Sequence, residues 1–325
     1  EVAACRTGAA IIDQSAFGKI MVQGPDACVF LNRICTAQMD VPAGRIVYSQ
    51  ILNARGGIES DVTVQRHGPQ TYLMITGAGE VVRDLMHMRR EKGTMQVEVT
   101  DVTSGWAIIG LAGAKAQEIL QKASAAPLPA LKPFGFAPIE VGLARGFVGR
   151  LSYTGQLGFE LYIPAEMAMA AHEALVAAGA SHAGLFASGS LRIEAGFRAW
   201  GHELTQGTTP HESGLEKFCA MDTDFIGKTA LKTHTPQRQI ATLLFDTADA
   251  IPIHDEPIWF EGCVAGQITS AAWNYAHGRT AALAMMTTCL DRLRAGEIVD
   301  GFEVEIACKR FSARVALAPL KDWKI

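Results

Sequence analysis

Several things are missing from this sequence, and each absence removes a class of function. No stretch reaches the ~18–20 consecutive apolar residues of a membrane-spanning helix, and the N-terminus has neither the basic nor the apolar region of a secretory signal. The seven cysteines (Cys5, Cys28, Cys35, Cys219, Cys263, Cys289, Cys308) are odd in number and scattered, with no CxxC pair. Zinc ribbons and dithiol exchange are therefore not expected, and free thiols in a reducing compartment are: the cytoplasm, or the mitochondrial matrix in a eukaryote. There is no basic tract, and the formal net charge is -4. Nucleic acid and anionic membrane surfaces are not the expected partners, and a small molecule is. "ITGAGEVV" has no third glycine for a dinucleotide loop, and "HEALV" and "HESGL" have no second histidine four residues on, so neither a nucleotide nor a metal is expected. The chain opens on Glu1 rather than Met, so a fragment, or a processed or trimmed product, is the expectation.

The 325 residues are 49% hydrophobic and 19% charged, the balance of a globular protein large enough for two or three subdomains. A strand Gly18 to Val22 leads through "GPD" into a helix from Asp26 to about Thr36, with Asp26 placed to cap it. "VYSQIL", "IESDVTVQR" and "TYLMI" then form a meander broken by "NARGG" and "HGPQ". A helix near Glu80 to Lys92, strands "MQVEV" and "WAIIGLA", and a helix from Ala114 to Ser124 follow. The proline-rich "SAAPLPALKPFGF" reads as a loop joining subdomains. Beyond it come a hairpin-like "RLSYTGQLGFELYI", a helix from about Ala165 to Ala178, and a second helix, "SGSLRIEAGFRAW", stopped by Gly201. From "IATLLF" onward nearly everything is strand and turn, as in a small barrel or sandwich. The rhythm is not strict βαβ, so the class is α+β, and no internal repeat is evident.

Two carboxylates sit where strands put them on one face. In "GGIESDVTV", Ile58, Ser60, Val62 and Val64 share one side, and Glu59, Asp61 and Thr63 share the other. In "YTGQLGFEL", Glu160 lies between Phe159 and Leu161. A carboxylate there faces water at an edge, or else faces a ligand, accepting two parallel N–H donors from a flat heterocycle with Tyr153 beside it. In "LRIEAGFRAWGHE", Ile193, Phe197 and Trp200 fall at helical spacing as a core stripe, and Glu194 and Arg198 form an i, i+4 pair. Arg192 is less readily explained by packing. Arg279 and Arg310, on strands, suit solvent or an anionic tail.

Taken together, "GGIESDVTV", "RLSYTGQLGFELYIP", "SLRIEAGFRAWGHE", "PHESGLEKFCAMDTDFIGKTAL" and "GQITSAAWNYAHGRTAALAMM" resemble the folate-dependent aminomethyltransferases typified by the glycine-cleavage T-protein. "FGKIMVQGPDA", "YTGQLGFEL" in place of "YTGEDGFE", and "FRAWGHEL" are most similar to the C-terminal folate-binding half of dimethylglycine and sarcosine dehydrogenases. The resemblance implies three subdomains: a discontinuous ferredoxin-like one (residues 1–46 and 141–235), an α+β one (47–140), and a C-terminal β-barrel (236–325). It implies tetrahydrofolate as the co-substrate and a small methylamine-type donor. It assigns Asp61 to the reacting side of the folate, Glu160 to the pterin amine and ring N–H, and Tyr153 and Tyr48 to the pocket; Thr63, on the Asp61 face, and Arg192 are further candidate folate contacts. It also implies FAD in a preceding flavin domain or a partner subunit, since this chain has no flavin fingerprint. Two other readings stay open: a folate-dependent S- or O-demethylase, and a non-catalytic folate binder like the relatives that maintain iron–sulfur clusters. The latter carry K-G-C-Y-x-G-Q-E where this chain has "DTDFIGKTAL".

Overall fold

The computed structural model describes residues 1–323. Helix α1 (Val2–Thr7) and strand β1 (Ala10–Asp13) come first. The block that follows is β2 (Gly18–Gln23), α2 (Ala27–Ile34), β3 (Arg45–Leu52), β4 (Ile58–Gly68), β5 (Thr71–Thr76), α3 (Val81–Glu91) and β6 (Glu98–Asp101). A second block runs β7 (Trp106–Ala112), α4 (Ala116–Ala123), β8 (Phe136–Val141), β9 (Ala144–Gly149), β10 (Gly158–Pro164), α5 (Ala168–Ala177) and β11 (Ser181–His182). The two blocks have the same βαβββαβ plan. The first forms a five-stranded sheet ordered β3-β4-β5-β2-β6, and the second a six-stranded sheet ordered β11-β1-β7-β10-β9-β8, into which β1 is inserted.

The repeat, not evident in the sequence, is visible at the turn that ends the first strand of each block. Gly24 and Gly113 occupy equivalent places with φ of 138° and 146°. A Cβ on Gly24 would lie 2.3 Å from Gln96 O, and one on Gly113 would lie 2.4 Å from Gly8 O. Gly113→Ala is therefore expected to cost about 1–3 kcal/mol in chemical denaturation, with Gly24→Ala matching it.

Each sheet buries one face under its own two helices. Val22, Val62, Val64 and Met74 meet Phe30, Leu31 and Met88 in one core. Leu111, Phe159, Leu161 and Ile163 meet Ile119, Leu120, Ala171 and Leu175 in the other. The remaining faces turn toward each other, where Leu73 and Ile75 pack on Ile108 and Tyr162. The chain crosses between the sheets at residues 14–17 and 102–105. These crossings are adjacent: Lys19 N donates to Thr103 Oγ1 (3.0 Å), and Lys19 Nζ, fully buried, donates to Ser15 O and Phe17 O. At the opposite edges, Phe136 N donates to Gly44 O (2.8 Å) and Ile46 N to Phe134 O (2.8 Å), so the sheets are joined on both sides.

A closed six-stranded barrel follows, ordered β12-β15-β14-β13-β16-β17, from β12 (Gln239–Phe245), β13 (Pro257–Phe260), β14 (Cys263–Asn274), β15 (Arg279–Met286), β16 (Val299–Ile306) and β17 (Lys309–Ala316). Helix α6 (Leu185–Glu194) packs Ile193 against Leu244, Ala281 and Leu283 of the barrel, and Ala187 and Leu191 against α1 and the six-stranded sheet.

Several expectations need correction. The sheets do not divide at the expected boundaries: β2 pairs with β5 and β6, and β7 with β1 and β10. The proline-rich loop joins α4 to β8 within one sheet, packing Leu128 and Leu131 on its core, and separates nothing. Asp26 makes no side-chain cap; its carboxylate accepts from Gln96 N at 2.7 Å. Helix α6 ends at Glu194, because Gly196 takes φ 70°. Phe197 and Trp200 therefore share no helical stripe with Ile193, and Glu194 pairs with Arg6 rather than Arg198.

Candidate functional site

The inner face of the five-stranded sheet carries Asp61 on β4. The burial of β4 alternates as its sequence does, with Ile58, Ser60, Val62 and Val64 buried and Glu59, Asp61 and Thr63 half-buried. Asp61 lies across from Gln50, and Thr63 across from Tyr48, on β3. Tyr48 Oη donates to Asp61 Oδ2 at 3.2 Å. Asp61 Oδ1 accepts from no other side chain among the described residues. Burial pushes the Asp61 carboxyl up to about 6 against the opposing hydrogen bond from Tyr48, with Glu80 and Asp84 adding to the rise. Burial also raises the Tyr48 phenol well above its ordinary value, and the Asp61 charge reinforces this. Tyr48 is thus a neutral donor at any working pH.

Gln50 carries no signal in the sequence. It is fully buried; its Oε1 accepts from Thr36 Oγ1 at 3.2 Å, and its Nε2 has no partner. Its position behind Tyr48 and across from Asp61 suits it to fix the tyrosine hydroxyl. Phe218 meets Tyr48 edge-on, ring centroids 4.9 Å apart. A cleft of about 320 Å³ opens beside this pair, its lining including Arg45, Val47, Phe134, Lys217 and Cys219.

The facing sheet carries Glu160 on β10, across from Gly110 on β7 and Gly149 on β9. Tyr162 Oη donates to Glu160 Oε2 at 2.5 Å. The other oxygen has no protein partner among the described residues. Burial lifts the Glu160 carboxyl to about 7, and the Tyr162 hydrogen bond only partly opposes it. The two carboxyls thus share one design: half-buried, raised by burial, with one oxygen held by a tyrosine hydroxyl and the other available.

Tyr153, in the connection from β9 to β10, donates to Arg198 O at 2.6 Å, stacks on Phe197 (6.0 Å), and lies close enough to Asp61 to feel its charge. The Arg198 guanidinium is held by Gly196 O and by Ser213 O (3.1 Å). Burial lowers its pKa, while Glu203 and Tyr48 oppose that.

Arg192, expected among the folate contacts, is 7% exposed and fully engaged elsewhere. It donates to Glu203 Oε2 (2.8 Å), Phe197 O (3.1 Å) and Ser270 Oγ (2.7 Å). Glu203 has no exposure and also accepts from Ala199 N, Thr269 Oγ1 and Ser270 Oγ. The pair locks the segment after α6 onto barrel strand β14. Glu203 gave no signal in sequence, being one acid in a polar run. Arg279 and Arg310 lie on the barrel away from these groups; Arg310 is paired with Glu303 and Glu305.

No group of three or more His, Cys, Asp or Glu residues suited to a metal exists among the described residues, and no helix there is long and apolar enough to cross a membrane.

Comparison with known proteins agrees with this architecture. The GCVT N-terminal domain family matches residues 1–223, and the glycine cleavage T-protein C-terminal barrel domain family matches residues 238–322. The chain is 33% identical over 324 residues to the mitochondrial dimethylglycine dehydrogenase of Homo sapiens, covering 96% of this chain and 37% of that one. It is 32% identical over 319 residues to an aminomethyltransferase of Thermus thermophilus, covering 98% and 88%. The 4-methylaminobutanoate oxidase (formaldehyde-forming) of Paenarthrobacter nicotinovorans is 31% identical, with 99% and 40% covered. The chain thus spans well under half the length of the dehydrogenase and oxidase relatives and most of the length of the aminomethyltransferases. The crystal structure of the glycine cleavage system aminomethyltransferase T from Bartonella henselae superposes with a TM-score of 0.88 at 24% identity, covering 98% and 88%. Sequence, fold and domain order agree: the chain belongs to the glycine-cleavage T-protein, or aminomethyltransferase, family.

Proposed function

We propose that this chain catalyses tetrahydrofolate-dependent one-carbon transfer. It would form 5,10-methylene-tetrahydrofolate from a formaldehyde or iminium unit derived from an N-methyl glycine or related methylamine, working with a flavin oxidoreductase domain or subunit. The observation that carries this reading is the pair of half-buried carboxyls, Asp61 and Glu160, on inner faces turned toward one another.

Reduced folate, when bound, supplies the nucleophilic N5 that takes up the carbon unit and the N10 that closes on it. Glu160, once ionised, offers a carboxylate fork to two parallel N–H groups, as a 2-amino-4-oxo ring edge presents them. Tyr162 holds that fork in orientation. Asp61, ionised above about pH 6, holds a proton or a developing positive charge on a nitrogen placed at Oδ1 while Tyr48 secures Oδ2. Tyr153 and Phe197 wall the site, and the joined sheets keep bulk water from a reactive aldehyde or iminium. Arg192 is assigned to holding the segment that carries Phe197 and Arg198, not to the folate tail.

Calorimetric titration with a reduced folate tests the reading. Wild type should bind in the micromolar range, and Glu160→Ala should lose at least about tenfold in affinity, one hydrogen-bonded ionic contact. Equal affinity in the two proteins would refute the site. The Glu160 carboxyl, near 7 in the free protein, must ionise to accept both donors, so affinity should fall as pH drops below 7. Binding at pH 6 should release a proton, read as a dependence of the heat on buffer ionisation enthalpy.

A further inference from the structure

Beside Glu160 lies a polar group that the repeat and the motifs do not explain. Gln14 follows β1, its backbone N–H donating to Ile108 O at 2.9 Å. It therefore shares a face with Ile12, Gly110 and Glu160, since residues directly opposite in antiparallel strands point the same way. Its side chain lies across Gly110: a Cβ there would be 2.7 Å from Gln14 Oε1 and 3.2 Å from its Cδ. The absent side chain of Gly110 is what admits the carboxamide. Gln14 Oε1 is buried and accepts no hydrogen bond, an arrangement that costs stability unless a ligand supplies the donor. Opposed Cβ positions in such a pair lie about 5 Å apart, so the amide oxygen over Gly110 and the Glu160 carboxyl are neighbours on one face of the sheet, and no hydrogen bond joins them. Across Gly149, on the other side of Glu160, Ile46 and Leu151 fill the equivalent space, so only the Gln14 side offers a second acceptor.

We infer that Gln14 is a specificity-determining residue for the heterocycle that Glu160 grips, accepting the second hydrogen of its exocyclic amino group. This rests on the folate reading above. The carboxylate fork takes one amino hydrogen and the adjacent ring N–H; the remaining amino hydrogen points away from the fork, toward an acceptor on the Gly110 side. The pair thus reads a primary 2-amino group rather than any ring N–H edge, and rejects rings with an oxo or alkylamino group there.

The test is calorimetric, with 5-formyl-tetrahydrofolate and its N2-methyl derivative as probes. Wild type should bind the parent about tenfold more tightly than the N2-methyl compound, one buried hydrogen bond's worth. In Gln14→Leu, affinity for the parent should fall about tenfold and the preference collapse to within twofold. Equal binding of both probes by wild type would overturn the inference without needing any variant. Wild-type affinity in Gln14→Leu alongside lost binding in Glu160→Ala would overturn Gln14's role and leave the folate site standing. No binding of either probe by folded wild type would overturn both.

Discussion

In Asp61→Asn, one-carbon transfer to reduced folate should slow by about two to four orders of magnitude, the usual worth of a positioned acid–base group, while the Kd for folate moves less than about threefold. Asparagine keeps the shape of the side chain and its contact with Tyr48 but carries no charge and takes up no proton. A loss confined to the rate at saturating folate is therefore what a group acting on the reacting nitrogen predicts. The pH profile supplies a second signature. Burial raises Asp61 to about 6, so the wild-type single-turnover rate should decline as pH falls through that value and the aspartate becomes neutral. The variant, having no such group, should show a profile without that limb. Wild-type turnover in Asp61→Asn, or an unchanged acid limb, would remove Asp61 from the chemistry.

Arg192→Met should have the largest effect on stability, about 3–5 kcal/mol, because it leaves the Glu203 carboxylate buried without its counter-charge. Burial works to raise the Glu203 pKa, but Arg192, Ser270, Thr269 and the Ala199 N–H together hold it below the ordinary 4.5. A depressed folded-state value means that the pair stabilises the wild type above about pH 4.5, a contribution lost as pH falls through the lower folded value. The gap between wild type and variant should thus be widest near neutrality and narrow as pH falls, because the variant's Glu203, lacking its counter-charge, takes up a proton first. Denaturation midpoints at pH 7 and pH 4 measure this. Equal midpoints at pH 7 would show the pair to be dispensable. Folate affinity retained by the folded fraction of the variant would separate this role from the folate contact that the sequence led one to expect.

The two acids are legible because strand patterning is local: Asp61 lies on the half-buried face of an alternating strand, and Glu160 interrupts an otherwise apolar one. Their tyrosine partners are less legible, since Tyr48 comes from another strand and Tyr162 sits among buried apolar residues. Apolar residues at 193, 197 and 200 mimic a helical stripe, whereas the left-handed Gly196 ends the helix before Phe197. The subdomain boundaries were misplaced for a different reason: strand composition says that a segment will pair, not with what, and the return of β2 to β5 and β6 depends on contacts far along the chain. The repeat was hidden because its copies share a strand–glycine–helix turn and a topology but few residues, as "VQGPDACVF" and "LAGAKAQEIL" show.

The two seams between the sheets have a kinetic consequence. One is the double crossing braced by buried Lys19, the other the Gly44–Phe136 and Ile46–Phe134 hydrogen bonds. Sheets hinged on one side can swing apart; sheets stitched along both edges cannot. Little motion of one sheet against the other is then available to be induced, so the proposed site is expected to bind as a preformed surface, with a single association phase and no closing step.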